Sequence, residues 1–241
     1  LVGSEMCIRD RKESTKEMVS DISHQLKTPV AALDTCFSIL LRNNLSETEQ
    51  QEFRIRCRSA LDGLETLLQS LLEISKLETG LIQLDQKTLP IMNTIISAVN
   101  RTYPKAAEKG IELIFDCNES LEHCALMQDK RWLGEAIINV LDNAIKYTQK
   151  GSRIQILTDK LESNVRIRVT DDGPGIPDEA KPFVFDMCYT GANRIADSRR
   201  SLGLGLCLCR SIIRAHGGEI SVSDNTPSGC IFTFTLPCEE V

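Results

Sequence analysis

From Phe53 onward the apolar residues fall at Phe53, Cys57, Ala60, Leu64, Leu67, Leu71 and Ile74, separated by alternating steps of four and three. That is a heptad seam, and Leu61 and Leu68 widen it. Only a long helix keeps such a spacing on one face, and the one required here is about 37 Å long at about 1.5 Å per residue. The preceding stretch offers Ile22, Leu26, Val30, Leu33, Phe37 and Leu40 at similar spacing. Between the two, "NNLSETEQQ" places Ser46 and Glu49 as a capping box for the second helix. Residues 12–79 thus predict two amphipathic helices in a hairpin. Alone, that hairpin leaves an apolar face uncovered. Pairing two hairpins into a four-helix bundle would bury it, so a homodimer is expected.

The first of these helices contains "SDISHQLKTPVAAL" at residues 20–33. A proline inside a helix removes a backbone hydrogen bond and crowds the preceding turn, at a cost of around 3 kcal/mol. Pro29 must therefore end the helix or kink it. His24 lies two residues from both Ile22 and Leu26, about 200° around the helix from each, and is expected to face solvent. Thr28 sits one turn further on the same face. A histidine so placed is most often an ordinary surface side chain. The nearby proline shifts the balance, because it opens the backbone beside an exposed nucleophile.

After "KLETGLIQLDQKTLP" the texture changes. Helices are predicted at 90–109, 130–147 and 203–216. Strands are predicted at "IELIFDC", "SRIQILTD", "NVRIRVTDD", "GEISVSD" and "GCIFTFTLP". Strands and helices out of strict βαβ order point to an α/β sandwich, a mixed sheet covered by helices. The fold class is then α+β, a hairpin at 12–80 and a sandwich at 88–241 joined by a linker at 80–88. With 41% hydrophobic and 26% charged residues the chain can build such cores. A net charge of −6 implies no basic face, so no nucleic-acid partner is expected. No apolar run reaches the roughly 20 residues that cross a bilayer. The chain starts at Leu1 rather than Met, and "LVGSEMCIRDR" has no clear pattern and is set aside. A cytoplasmic region is expected, its parent protein held at the cell membrane only through sequence upstream. Ten cysteines are scattered with no C-x-x-C pair, which predicts free buried thiols rather than a zinc site or disulfide framework.

Three stretches of the second half carry chemistry. "EAIINVLDNAIKYT" puts Asn139 and Asn143 four apart on one helix face, with Lys146 beyond them. An amide carbonyl is a hard oxygen ligand that suits Mg²⁺, and lysine suits phosphate. "VTDDGPGIP" ends a strand with Asp171, an acceptor for an exocyclic amine, and with Gly173 and Gly175, which permit turns and close approach. "LGLGLCLCRSII" runs Gly203 and Gly205 into a helix start, where backbone N–H groups favour phosphate. Each alone has a bland alternative as a polar face, a turn or a helix start; the order of all three is what constrains.

These residues, with "SHQLKTP", resemble the catalytic portion of a sensor histidine kinase, a phosphoacceptor hairpin followed by a Bergerat-fold ATPase domain. The resemblance covers about residues 14–237. It implies that His24 receives phosphate from ATP and passes it to an aspartate on the receiver domain of a response regulator. It further implies that Asn143 binds Mg²⁺, and that Asn139, Lys146 and Tyr147 contact the nucleotide. Asp171 would read adenine, with Gly173, Gly175 and Ile176 in the same box; Leu202, Gly203, Leu204, Gly205 and Leu206 would lie at the triphosphate. No Walker-type GxxxxGK[ST] is present, in keeping with this fold. By the same analogy Thr28 orients a water for dephosphorylating the regulator. Three positions depart from the pattern. Gln25 stands where the family has a carboxylate base and cannot take a proton. In "FVFDMCYTG", which matches the phenylalanine box at Phe185 and Tyr189, Cys188 replaces a second aromatic and Thr190 a basic residue. Residues 187–202 are expected to form a lid over ATP. The rivals are an ATPase of the same fold that closes a clamp, and a dimeric scaffold without histidine phosphorylation.

Overall fold

A computed structural model describes residues 2–41, 45–117, 124–187, 189 and 203–238, with the side chains of residues 2–19, 21 and 117 outside the description. Two compact units are distinguished. One holds the chain through Glu73 together with Met187–Leu204; the other runs from Ile74 to Asp186 and resumes at Gly205.

Helix α1 spans Val2–Leu40 and helix α2 spans Glu47–Glu78. The sequence placed the first helix from residue 12. It starts at Val2 instead, because Glu5, Met6, Arg9 and Arg11 favour helix even without an apolar period. Pro29 does not end α1, which continues for eleven residues beyond it to Leu40. The capping box forms as spaced: Ser46 N–H donates to Glu49 Oε2 at 2.9 Å, and Glu49 N–H donates back to Ser46 Oγ at 3.3 Å. Ser46→Ala should therefore lower unfolding stability by about 1 kcal/mol, measurable by urea titration. Leu67 is fully buried, and burial together with the neighbouring Cys36 raises the Cys57 thiol above its ordinary value. Val30 and Phe37 on α1, and Ile55, Leu61, Leu68 and Leu72 on α2, remain exposed.

The second unit is a mixed sheet with helices on one face. Its strands are β2 (Glu112–Cys117), β4 (Arg153–Lys160), β5 (Asn164–Asp171), β6 (Glu219–Asp224) and β7 (Cys230–Pro237), in the spatial order β2-β4-β5-β7-β6. Only β2 and β4 are parallel; the other pairs are antiparallel. Alternation decides which side is covered. Ile154 and Ile156, Val165, Ile167 and Val169, and Phe232, Phe234 and Leu236 are buried, and their neighbours in sequence are half-exposed. Helices α3 (Ile91–Lys109), α4 (Lys130–Tyr147) and α5 (Gly205–Ala215) supply the other layer, with Ile95, Leu133, Ile137, Leu141, Ile212 and Ile213 buried. Two short strands that the sequence did not reveal, β1 (Lys87–Pro90) and β3 (Ala125–Gln128), pair antiparallel as a separate ribbon.

Asp129 caps α4 by accepting from Arg131 N–H at 3.0 Å and Trp132 N–H at 3.2 Å, and it also accepts Asp85 N–H at 3.0 Å from the segment before β1. His216, at the end of α5, is buried; its Nδ1–H donates to Ile212 O at 2.8 Å and its Nε2 accepts Asp129 N–H at 3.1 Å. Among the described residues no helix is long and apolar enough to cross a membrane. Cys36, Cys124, Cys207, Cys209, Cys230 and Cys238 are buried, and Cys57 is half-buried. Burial pushes the Cys124 thiol up to about 11 and Cys230 up to about 12, which makes both poor nucleophiles.

Candidate functional site

Helix α4 carries Asn139, Asn143, Lys146 and Tyr147. Its buried face (Ala136, Ile137, Val140, Leu141, Ala144) fixes the helix on the sheet and leaves Asn139 and Asn143 half-buried at its border. Asn139 Nδ2 donates to Glu135 O at 3.0 Å. Its Oδ1 lies 2.9 Å from where a Cβ on Gly205 would stand, so a glycine at 205 lets the start of α5 close on Asn139. Asn143 makes no side-chain hydrogen bond among the described residues, which leaves its amide oxygen available to a ligand. Lys146 Nζ lies 5.2 Å from the centre of the Tyr147 ring, and both side chains are exposed. Two carbonyls of the last turn, of Ile145 and Lys146, accept from Lys109 Nζ at 2.7 Å each, which fastens that end of α4 to α3.

Strand β5 delivers Asp171 at its last position, 5% exposed. Oδ1 of Asp171 accepts from Gly173 N–H at 2.9 Å and from Cys230 N–H at 3.3 Å. A Cβ on Gly173 would stand 2.7 Å from that oxygen and 3.6 Å from Tyr147 O, so this glycine allows the turn to pass between β5 and the end of α4. Burial raises the Asp171 carboxyl above the usual carboxylate range, and the two backbone donors only partly offset it. No described group donates to Oδ2. The residue therefore offers one anchored and one free acceptor, the arrangement needed to grip an amine. Gly175 has φ +78° and Ile176 beside it is half-buried. Gly203 has φ +68° just ahead of Leu204, and α5 opens at Gly205 and Leu206.

The asparagine helix, the end of β5 and the start of α5 thus meet at one side of the second unit. Leu202, Cys188 and Thr190 lie outside the described residues, as do 190–202 of the expected lid. Phe185 is buried edge-on against Phe232, ring centres 6.3 Å apart, and Tyr189 is half-buried.

On the hairpin, His24 is exposed and Gln25 half-buried. Thr28 Oγ1 donates to His24 O at 3.2 Å, so its hydroxyl proton is engaged within α1. Sequence reasoning missed Cys230, Asn225 and Gly229, which surround Asp171 from the β6–β7 connection. Only "DNTPSG", a turn-forming run, could have drawn attention to them.

These features define a class: a helical hairpin presenting a histidine, in one chain with an α/β unit whose polar corner is built from a helix, a strand end and a glycine turn. Known proteins share both parts. Residues 14–80 match the His Kinase A (phospho-acceptor) domain, and residues 128–240 match the histidine kinase-, DNA gyrase B-, and HSP90-like ATPase. The chain is 30% identical over 234 residues to sensor protein KdpD of Clostridium acetobutylicum, covering 95% of this chain and 25% of that one. It is 28% identical over 245 residues to the alginate biosynthesis sensor protein KinB of Pseudomonas aeruginosa, covering 98% and 40%. Among solved structures, histidine kinase ThkA in complex with response regulator protein TrrA superposes with a TM-score of 0.76 at 27% identity, over 96% of this chain and 64% of that one. The chain belongs to the sensor histidine kinases. It spans a quarter to two-fifths of the length of the two sensor proteins just named.

Proposed function

We propose that this chain is the kinase region of an autophosphorylating protein-histidine kinase. In this reading residues 12–80 form the phosphoacceptor and dimerisation part and residues 88–241 the ATP-binding part. The observation that carries it is the exposure of His24 on a long hairpin, in a chain whose second unit belongs to an ATPase family. A ring nitrogen of His24 attacks the γ-phosphorus of ATP, the bond to the bridging oxygen breaks, and ADP leaves. Such chemistry depends on position and charge neutralisation rather than on a covalent intermediate elsewhere. The ATP-binding part must swing about the 80–88 linker to bring its nucleotide to His24. Asp171 Oδ2 would hold the adenine amine, the first turn of α5 would face the phosphates, and Lys146 would add positive charge.

Magnesium fits this corner. Asn143 supplies a hard, unengaged oxygen, and the remaining ligands would be phosphate and water oxygens. When bound, the ion neutralises charge on the transferring phosphoryl group. Asn143→Ala should weaken ATP binding about tenfold in the presence of Mg²⁺ and leave binding in EDTA unchanged, as read by calorimetry. An unaltered magnesium dependence would remove Asn143 from the metal site.

The exposed apolar side chains of α1 and α2 would be covered by a second copy, giving a homodimer with a four-helix core. The complex of ThkA with a response regulator supports a receiver domain as the next acceptor of the phosphate. Thr28 keeps its oxygen lone pairs for a water, the role a phosphatase step toward that regulator requires. The proposed parent protein holds this region on the cytoplasmic side of the cell membrane, anchored through other polypeptide. The test is incubation with γ-labelled ATP. Label that is acid-labile and base-stable is expected; nucleotide turnover without protein label would favour a clamp-type ATPase instead.

A further inference from the structure

The β6–β7 connection reaches the candidate adenine site from a part of the chain that no motif marks. Asn225 Nδ2 donates to the main-chain oxygen of Asp171 at 3.0 Å and to Asp172 Oδ1 at 3.4 Å. The same asparagine closes its own loop: its N–H donates to Gly229 O at 3.0 Å, and its Oδ1 accepts Thr226 N–H at 2.9 Å. The side-chain amide of Asn225 and its N–H are thereby directed either at the loop or at residues 171–172.

Gly229 makes the approach possible. Its φ is +109°, and a Cβ there would stand 1.8 Å from Asp171 O and 3.1 Å from Asp172 Cα. No side chain fits, and few residues other than glycine tolerate the backbone angle. One residue later, Cys230 N–H donates to Asp171 Oδ1. The β5–β7 ladder ends at Thr170↔Ile231, so this donor is aimed at the carboxylate just where regular pairing stops. The connection thus holds both the backbone and one side-chain oxygen of Asp171, which fixes where Oδ2 points. Its other flank is fastened too, because Lys181 joins Asp178, beyond the glycine turn, to Asp224 at the end of β6.

We infer that Asn225 and Gly229 are positioning residues for base selection: they set the direction of the free Asp171 oxygen and so the preference for a base bearing an exocyclic amine. This rests on Asp171 being the adenine-reading group. A carboxylate oxygen held in line with the amine accepts its hydrogen bond, and the same oxygen repels the carbonyl that inosine carries in place of that amine. A carboxylate free to rotate loses both the attraction and the repulsion.

The test compares ATP and inosine triphosphate binding by calorimetry on the full chain, for wild type, Asn225→Ala and Asp171→Asn. Asn225→Ala is expected to weaken ATP binding about tenfold, the scale of one charge-assisted hydrogen bond, while inosine triphosphate affinity changes less than about twofold. A merely structural role would lower both affinities together. Equal losses, or no loss, in Asn225→Ala overturn the inference if Asp171→Asn still erases the preference. If Asp171→Asn itself leaves the preference intact, the assignment of Asp171 falls and the inference falls with it. Gly229→Ala should behave like Asn225→Ala or fail to fold; Asn225→Ala decides in either case.

Discussion

His24→Gln should reduce protein-bound phosphate to background while changing ATP affinity by less than about twofold, or about 0.4 kcal/mol. His24 is exposed, and its main-chain oxygen rather than its ring accepts the Thr28 hydroxyl. Glutamine keeps the backbone and the helix propensity, so stability should move by no more than about 0.5 kcal/mol. The proposed ATP-binding corner is assembled from α4, β5, α5 and the β6–β7 connection with the start of β7, and none of those contacts involves residue 24. Transfer and binding are therefore expected to separate cleanly in labelling and calorimetry on the same preparation. Residual acid-labile label in the variant would mean that the acceptor is another residue.

Asp171→Asn should have the opposite profile, with ATP binding lost and the fold retained. Removing a carboxylate acceptor from an amine costs roughly 1.5–3 kcal/mol, or about 10- to 150-fold in affinity. Asparagine Oδ1 can still accept from Gly173 and Cys230, so the turn keeps its donors satisfied. Burial raises the Asp171 carboxyl, so the folded protein binds this proton more readily than the unfolded chain does. Its contribution to stability is then largest when protonated and falls as pH rises through the raised value. At neutral pH the ionised group weighs against the fold, and the variant should melt at the same temperature as wild type or higher. ATP affinity in wild type should fall as the solution is acidified through the same range, because a proton on the free oxygen turns it into a donor facing an amine. The variant should lack that acid limb. Calorimetry across pH checks both, and coincident loss of affinity and melting temperature would make Asp171 a structural residue.

Much of this architecture was legible because periodicity is local. The alternation in "RIQILTDK" and "NVRIRVTD" marks strands buried on one side, and the steps of four and three from Phe53 mark α2. Ser46 and Glu49 announced the helix start that they make. The short ribbon escaped because four residues such as "KTLP" carry no period, and their partner is 39 residues away at Met127 and its neighbours. Members of the proposed site could be picked out where one residue type suits one task, as with the asparagine pair, Asp171 and the glycines. Asn225, Gly229, Asp129 and His216 were not, since their roles lie in hydrogen bonds and close approaches that join distant segments. An asparagine in a turn and a histidine before two glycines look like loop residues until the partner strand is in place.

Strand β7 is the last described element of the chain, yet it stands inside the sheet between β5 and β6. During synthesis β5 leaves the ribosome with one edge unpaired, and β6 emerges with no neighbour at all. Hairpin contacts are nearer in sequence and can form early, whereas the sheet waits for a long-range pairing. Insertion of that final strand completes the hydrophobic layer and delivers the Cys230 amide to Asp171 in the same event. A nascent or truncated chain lacking it would be a hairpin tethered to an open sheet with no competent nucleotide corner.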